Sequence, residues 1–443
     1  MERHKLIIKN FGPIKELELE DSNMLILIGP QASGKSTISK LIYFFKSLPT
    51  DLFYYWEPVR TKNTSEEGMI KMIRNKFIGI WGADPYLKDF ELEYHYQKDV
   101  WIKINFTKGK KHINPVVSDK IDGSIPYYVD LRVVYDKLCD MLQLFNMSEL
   151  LGFSAKFQAN YMLENSNIAF IPAGRSLLYT LTEQLEPLST NNLDALRQEF
   201  MSDIASIRRR FRKSTKDIIL NQKNKLNESY MMYKGNSMTK NISENIEIHK
   251  ERVVLAEVLV SKILKGEYRH EKNADRLYFT EKESIHLKYA SAGQQEAIWI
   301  VYSLLREILY YWTYDVITFL VVEEAEAHLY PEAQKEMINL MALFYNTNPE
   351  NQLIITTHSP YILASLNNLL YANKVGREKP EAISKIISQR LWVDVKDVQA
   401  FFIRDGKLED IIDHDLEMIK NEALDSASRI INEEFDQIYA QED

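Results

Sequence analysis

Cysteine is almost missing from this chain of 443 residues: Cys139 stands alone, which excludes an internal disulfide and any zinc centre built on several thiolates. Long apolar runs are missing too. The longest are strand-sized, such as Phe319 to Val322, far short of the ~18 apolar residues that a membrane-spanning helix needs. The opening MERHKLIIKNFGP is charged and carries neither the apolar core nor the cleavage site of a secretory signal, so a cytoplasmic protein with no membrane partner is expected. No internal repeat is visible. At 45% hydrophobic residues the chain has material for a large core, and its length suggests two or three lobes.

Charge imbalance is lacking over most of the chain. The net charge is −8, but residues 405–443 hold 13 acidic and 3 basic side chains, which leaves 52 basic and 50 acidic residues elsewhere. The acidity therefore belongs to the C-terminal tail and does not exclude nucleic acid as a partner of the body.

What the chain does contain is an ordered series of strands and helices. KLIIK (5–9) and ELELE (16–20) read as short strands around the turn FGP, and MLILI (24–28) is a continuous apolar strand of the kind buried on both faces of a central sheet. GPQASGKST follows, then a helix over Ile38–Phe45. Alternation on both sides of QKD makes 90–106 an antiparallel hairpin. A helix is expected over Tyr127–Leu151, and IAFIPAGRS (168–176) is a strand entering a turn, where Arg175 would meet phosphate or an acidic neighbour. Residues 178–265 have few Gly or Pro and read as a helical insertion without sustained heptads. The spacing then predicts a strand at Ile285–Lys288, a helix at Gly293–Tyr311, a strand at Val316–Val322, a helix at Pro331–Tyr345, a strand at Leu353–Thr357 and a helix from Tyr361.

Residues 29–36 fit GxxxxGK[ST] at every fixed position, with a strand before and a helix after. In such a loop glycines let successive N–H groups converge on phosphate, the lysine reaches the β- and γ-phosphates, and the hydroxyl offers a Mg²⁺ ligand. Gly29, Gln31, Ser33, Gly34, Lys35, Ser36 and Thr37 are thus the candidate nucleotide-binding residues, and ATP and Mg²⁺ the expected cofactors. Downstream, YASAGQQE (289–296) opens a predicted helix, LVVEEAEAHLYP (320–331) ends a strand in three acids, and QLIITTHSP (352–360) carries His358 past the end of another strand. SAG followed by Gln is also an ordinary helix start.

That order resembles the ABC-type ATPase heads of the structural-maintenance-of-chromosomes, RecF and OLD-like families. The wording SAGQQE, EAHLYP and THSPYIL is most similar to bacterial OLD-like AAA family ATPases, over residues 1–50 and 285–375. The resemblance implies an α/β P-loop NTPase of ABC-head type, with a mixed central sheet, an antiparallel β lobe and a helical insertion. Residues 1–177 and 271–375 would form the head, 178–270 the insertion and 376–443 an acidic α/β tail. It makes Glu323 the metal-side carboxylate, usually acting through water, at a position where Asp is usual. Glu324 becomes the general base, His358 the sensor of the γ-phosphate, and Lys35 part of the catalytic set. Ser291, Gly293 and Gln294 would cap the nucleotide of a second copy, so ATP would join two heads in a homodimer or higher oligomer. Glu326 has no assigned role, and Gln31, Gln158 and Gln294 all remain open as the glutamine that links Mg²⁺ to the rest of the domain.

IRRRFRKSTK (207–216) gathers Arg208, Arg209, Arg210, Arg212, Lys213 and Lys216, either a DNA contact or a solvated helix face paired with acids. OLD-like proteins often continue into a TOPRIM nuclease. Here Asp413-His414-Asp415 lacks a preceding apolar strand and reads as surface charge, so a separate effector such as an HNH or TOPRIM nuclease or a toxin is expected. The resemblance points to the ATPase subunit of a bacterial anti-phage defence or DNA-maintenance system. Two rivals stand beside it. Glu323 in place of Asp motivates a non-hydrolysing sensor or scaffold that sequesters a toxin or nuclease, whereas a transporter ATPase fits the helical insertion and HSPYIL poorly.

Overall fold

A computed structural model of the chain describes residues 4–56, 66–82, 88–98, 100–107, 113–117, 166–184, 194–215, 217–221, 224, 239–272, 274–310, 317–420 and 436–439. The expected helix at Tyr127–Leu151, Gln158 and Lys216 lie outside them.

Among the described residues, six strands form the central sheet, in the order β14-β13-β3-β12-β11-β7. Their ranges are β3 Met24–Ile28, β7 Ser166–Ile171, β11 Ile317–Glu323, β12 Gln352–Thr357, β13 Val398–Arg404 and β14 Lys407–Asp410. Five run parallel, and β14 is an antiparallel edge. The continuous apolar runs of β3 and β11 follow from cover on both faces. Leu25, Leu27, Phe319 and Val321 enter one core, while Met24, Ile26, Ile28, Leu320 and Val322 enter the other. Each such buried side chain contributes about 1.5–3 kcal/mol, so a one-residue slip in register would be costly.

The first face carries helices α1 (Lys35–Trp56) and α2 (Glu66–Trp81) and a five-stranded antiparallel sheet, β2-β1-β4-β5-β6. That sheet comprises β1 Lys5–Phe11, β2 Ile14–Glu20, the hairpin β4 Phe90–Gln97 with β5 Val100–Phe106, and β6 Asn114–Val117. The opposite face is helical: α3 (Arg175–Gln184), α4 (Ala195–Arg210), α5 (Thr239–Leu264), α6 (Ala292–Tyr310), α7 (Pro331–Tyr345) and α8 (Pro360–Gly376). A small antiparallel sheet of β8 (Glu267–Glu271), β9 (Ala274–Tyr278) and β10 (Ser284–His286) adjoins them. The architecture is the expected α/β one, a mixed central sheet between an antiparallel β lobe and helices, with the P-loop directly after β3. No helix among the described residues is long and apolar enough to cross a membrane.

Three elements differ from expectation. Helix α1 starts at Lys35 and continues through Pro49 to Trp56, instead of covering Ile38–Phe45. Proline has no N–H to donate to the carbonyl four residues back. Here that carbonyl, of Phe45, accepts the hydroxyl of Tyr96 from β4, so the gap is filled by a side chain. The strand at 285–288 shrinks to Ser284–His286, because Leu287–Tyr289 turns into a 3₁₀ helix ahead of α6. Residues 376–443 are not only a tail: β13 pairs with β3, from Val398 opposite Met24 to Phe402 opposite Ile28. Asp413 lies in a two-residue strand and accepts the N–H groups of Asp415 and Leu416, a local turn that fits its reading as surface charge.

Beneath the sheet, Lys46 is wholly buried and bonds Asp21 at 2.6 Å and Gln352 at 2.7 Å. Beside them His4 is pushed down to about 3, chiefly by burial and secondly by the Lys46 charge, against Asp21. Its folded pKa lies below the ordinary 6.5, so its neutral form contributes stability that is complete above that value and is lost as pH falls from there toward 3. Thermal unfolding followed from about pH 7 to about pH 4 should therefore fall less steeply in His4→Gln than in the wild type. Parallel slopes would contradict the assignment.

Candidate nucleotide site

Parallel register brings the functional segments to one edge of the sheet. Ile28 lies opposite both Phe402 and Thr357, Glu323 opposite Thr356, and Ile171 opposite Val322. The P-loop, His358, Glu324 and the segment Pro172–Arg175 each follow immediately, all past the carboxyl ends of the strands, where α/β sheets bind ligands. With β12 between them, the P-loop strand and the acidic strand stand about 10 Å apart, room for a triphosphate.

The P-loop is shaped by close approach. A Cβ on Gly29 would sit 2.5 Å from the carbonyl oxygen of Ile403 in β13, and one on Gly34, at φ +114°, would sit 2.5 Å from Ile14 Cδ1. No larger residue fits either position. Gln31 and Ser36 are exposed, while Ser33 and Thr37 are half-buried. The buried Ser33 Oγ has no hydrogen-bond partner among the described residues. Lys35 is buried and donates to the carbonyls of Gly29 and Pro30, both at 2.8 Å. Burial lowers its pKa, and the charges of Glu324 and Glu326 act in the opposite direction. The acids of the strand end thus share an electrostatic environment with the P-loop lysine.

Glu323 is buried. Its Oε2 accepts the N–H of Ala173 at 3.3 Å, and its Oε1 is buried with no partner among the described residues. An uncompensated buried carboxylate oxygen is costly and suits a hard cation or a water bound to one. Glu324 has φ +47°, in the left-handed region that side chains other than glycine avoid. Its N–H donates to the carbonyl oxygen of Thr356 at 3.0 Å and to its hydroxyl at 3.2 Å, and its carboxylate is half-exposed, 3.8 Å from His358 Nε2. Glu326, unassigned from sequence, accepts the N–H of His358 at 2.6 Å, and its other oxygen is buried without a partner among the described residues. Gln334 adds a second brace by accepting the Ser359 hydroxyl at 2.6 Å and donating to Leu329 O at 2.8 Å.

At the start of α6, Ser291 and Gln294 form a capping box. Ser291 N–H and Oγ donate to Gln294 Oε1, both at 3.1 Å, and Gln294 N–H donates to Ser291 Oγ at 3.3 Å. The Gln294 amide also donates to Leu264 O at 2.8 Å, which closes the loop onto the end of α5. Among the described residues neither side chain bonds the P-loop. Ser291 and Ala292 are exposed. Gly293 packs so closely on the acidic loop that a Cβ there would lie 2.5 Å from His328 O.

Two candidates left open by the sequence resolve to ion pairs. Arg175 is wholly buried and meets an acidic neighbour, Glu296 of α6, not a phosphate. Arg208 leaves the set of DNA contacts, because its guanidinium grips the buried Asp275 through Nη2–Oδ2 at 2.6 Å and Nε–Oδ2 at 3.0 Å. Arg210 lies over the Tyr310 ring at 4.7 Å, yet it is exposed, as are Arg209, Arg212 and Lys213. Glu296 and Thr356 lie within the quoted segments 289–296 and 352–360, and Gln334 in α7, but the sequence assigns none of the three a role.

A family model described as an AAA ATPase domain matches residues 1–132 and 60–363. Over 105 residues, 22% of this chain, the sequence is 30% identical to Septu protein PtuA of Bacillus thuringiensis, and the match spans only 26% of that protein. Among solved structures, the Smc head domain of Pyrococcus furiosus, bound to the C-terminal domain of ScpA, is 13% identical over 98% of this chain and 99% of its own, with a TM-score of 0.38. A structure of the recombination mediator RecF is 10% identical over 93% of this chain and 99% of its own, with a TM-score of 0.33. Likenesses at these scores carry no functional weight.

Glu326→Ala removes the acceptor that holds the His358 amide. Exchange of that amide should quicken by about tenfold, the equivalent of one lost hydrogen bond to a charged group. An unchanged rate would show that Glu326 does not hold the histidine loop.

Proposed function

The chain belongs to the AAA ATPase domain family, and on that premise we propose that it hydrolyses ATP with Mg²⁺ at a site completed by a second copy of itself. The observation that carries this reading is a P-loop lysine past the end of β3 and, across the intervening β12, an acid pinned in a left-handed backbone past the end of β11. In the proposed reaction the P-loop N–H groups and Lys35 hold the β- and γ-phosphates. Glu324 orients the attacking water, and His358, 3.8 Å from it, faces the γ-phosphate. Ser36 and, through water, Glu323 would hold Mg²⁺, which when bound neutralises charge on the phosphate oxygens. The unpaired Glu323 Oε1 supports that fit. The exposed Ser291 end of α6 presents backbone N–H groups and a positive helix end to the nucleotide of the partner copy.

Closure and reopening of the two copies would regulate a separate effector, an HNH or TOPRIM nuclease or a toxin, in an anti-phage defence or DNA-maintenance system. The likeness to a Septu protein supports the defence setting. Arg209, Arg210, Arg212 and Lys213 form the proposed DNA contact. One observation favours the non-hydrolysing sensor instead: Glu323 Oε2 already accepts Ala173 N–H, which ties part of the metal-side acid to the protein.

Phosphate release should require Mg²⁺ and stop with EDTA. Glu324→Gln should lower kcat by about a hundredfold or more and accumulate an ATP-bound oligomer on size exclusion. Tight ATP binding without turnover in the wild type would select the sensor reading. Arg209→Glu, Arg212→Glu and Lys213→Glu together should weaken DNA binding and flatten its salt dependence by about three charges' worth of slope. An unchanged slope would return the stretch to ordinary surface charge.

A further inference from the structure

The catalytic acids and the exposed end of α6 are joined by one buried pair of side chains. Arg175 Nη1 donates to Glu323 O at 2.6 Å and to Pro172 O at 2.7 Å, and Nη2 donates to Glu324 O at 3.0 Å. On its other side, Nε donates to Glu296 O at 3.0 Å and stands 3.1 Å from Glu296 Oε2. Glu296, in turn, accepts the N–H groups of Arg175 and Ser176 and the Ser176 hydroxyl, at 3.1, 3.0 and 2.6 Å. Its carboxylate thus caps the start of α3, where N–H groups lack helical partners.

Two features turn this knot into more than packing. Glu324 sits at φ +47°, a conformation that costs of order 1–3 kcal/mol for a side-chain-bearing residue. It is held on both sides, by Thr356 at its N–H and by Arg175 at its carbonyl. The second feature is position: Glu296 lies five residues after Ser291 in the same helix, so a displacement of the helix end carries its carboxylate along.

We infer that Arg175 and Glu296 are positioning residues that transmit engagement of the Ser291 end of α6 to the backbone of Glu324. Neither touches nucleotide. The inference rests on the reading that ATP is hydrolysed at Glu324. It adds that α6 and the base position cannot move independently, so a second copy gripping Ser291 would set the aim of Glu324.

The test is Glu296→Gln, which keeps the shape but removes the charge and one acceptor. ATP affinity, read by titration with a fluorescent analogue, should stay within about threefold of the wild type, while kcat falls by about tenfold or more. Amide exchange at Glu324, whose N–H bonds Thr356, should quicken. If Glu296→Gln does not fold, Ser176→Ala removes a single bond to Glu296 and should shift kcat and exchange in the same directions by smaller factors. Unchanged kcat and exchange in a folded variant would overturn the inference, as would a kcat loss matched by an equal loss of affinity. A wild type that binds ATP without turnover would overturn the ATPase reading alone. Exchange at Glu324 would then decide the link, quicker in the variant upholding it and unchanged refuting it.

Discussion

A wholly buried guanidinium is the constraint around which this site is organised. Burial lowers the pKa of Arg175, and the charges of Glu296 first, then Glu323, Glu324 and Glu326, oppose that shift. Three carboxylates at the end of β11 and a fourth, Glu296, on α6 would repel one another without this cation, and the buried cation in turn depends on them. Its carbonyl contacts are equally demanding, because they reach β11, the approach to α3 and the body of α6 together. An arginine serves here because its planar fork offers donors in several directions at once, which a lysine cannot match.

Around that centre, the parallel sheet acts as an alignment device. Its register places the ends of β3, β7, β11, β12 and β13 side by side, so segments far apart in sequence meet without long loops. The P-loop is confined in the same way. Gly29 presses on the backbone of β13 and Gly34 on the turn between β1 and β2, while Gly406, in the turn after β13, would place a Cβ 2.5 Å from Pro13 O. The phosphate loop is therefore confined between the turn joining β1 to β2 and strand β13, so its shape depends on segments nearly 400 residues apart in the chain.

Legibility in the sequence follows the range of the interactions. The loop GPQASGKST, the strand MLILI, the hairpin at 90–106 and the helix at Pro331–Tyr345 were readable because periodicity, turn residues and motif spacing are local. Helix α1 was read too short because Pro49 is a local stop signal, and the Tyr96 hydroxyl that relieves it comes from another lobe. Strand β13 lies within the acidic α/β segment 376–443, and its membership of the central sheet is invisible locally because its partner, β3, lies more than 350 residues earlier. Charge alone left two readings open at Arg208, and the helix-end arginine takes the ion-paired one by turning inward to a buried aspartate. An acidic partner for Arg175 is an expectation of the sequence, but its identity as Glu296, 121 residues later, follows from no spacing rule.

On the proposed mechanism the site would be complete only when two copies meet, with α6 of one facing the P-loop of the other. Phosphate release per chain, measured with saturating Mg²⁺ and ATP while the protein is diluted about a hundredfold, tests it most directly. The rate per chain should fall with dilution as pairs dissociate. A rate per chain that stays constant in a sample shown to be monomeric would contradict it.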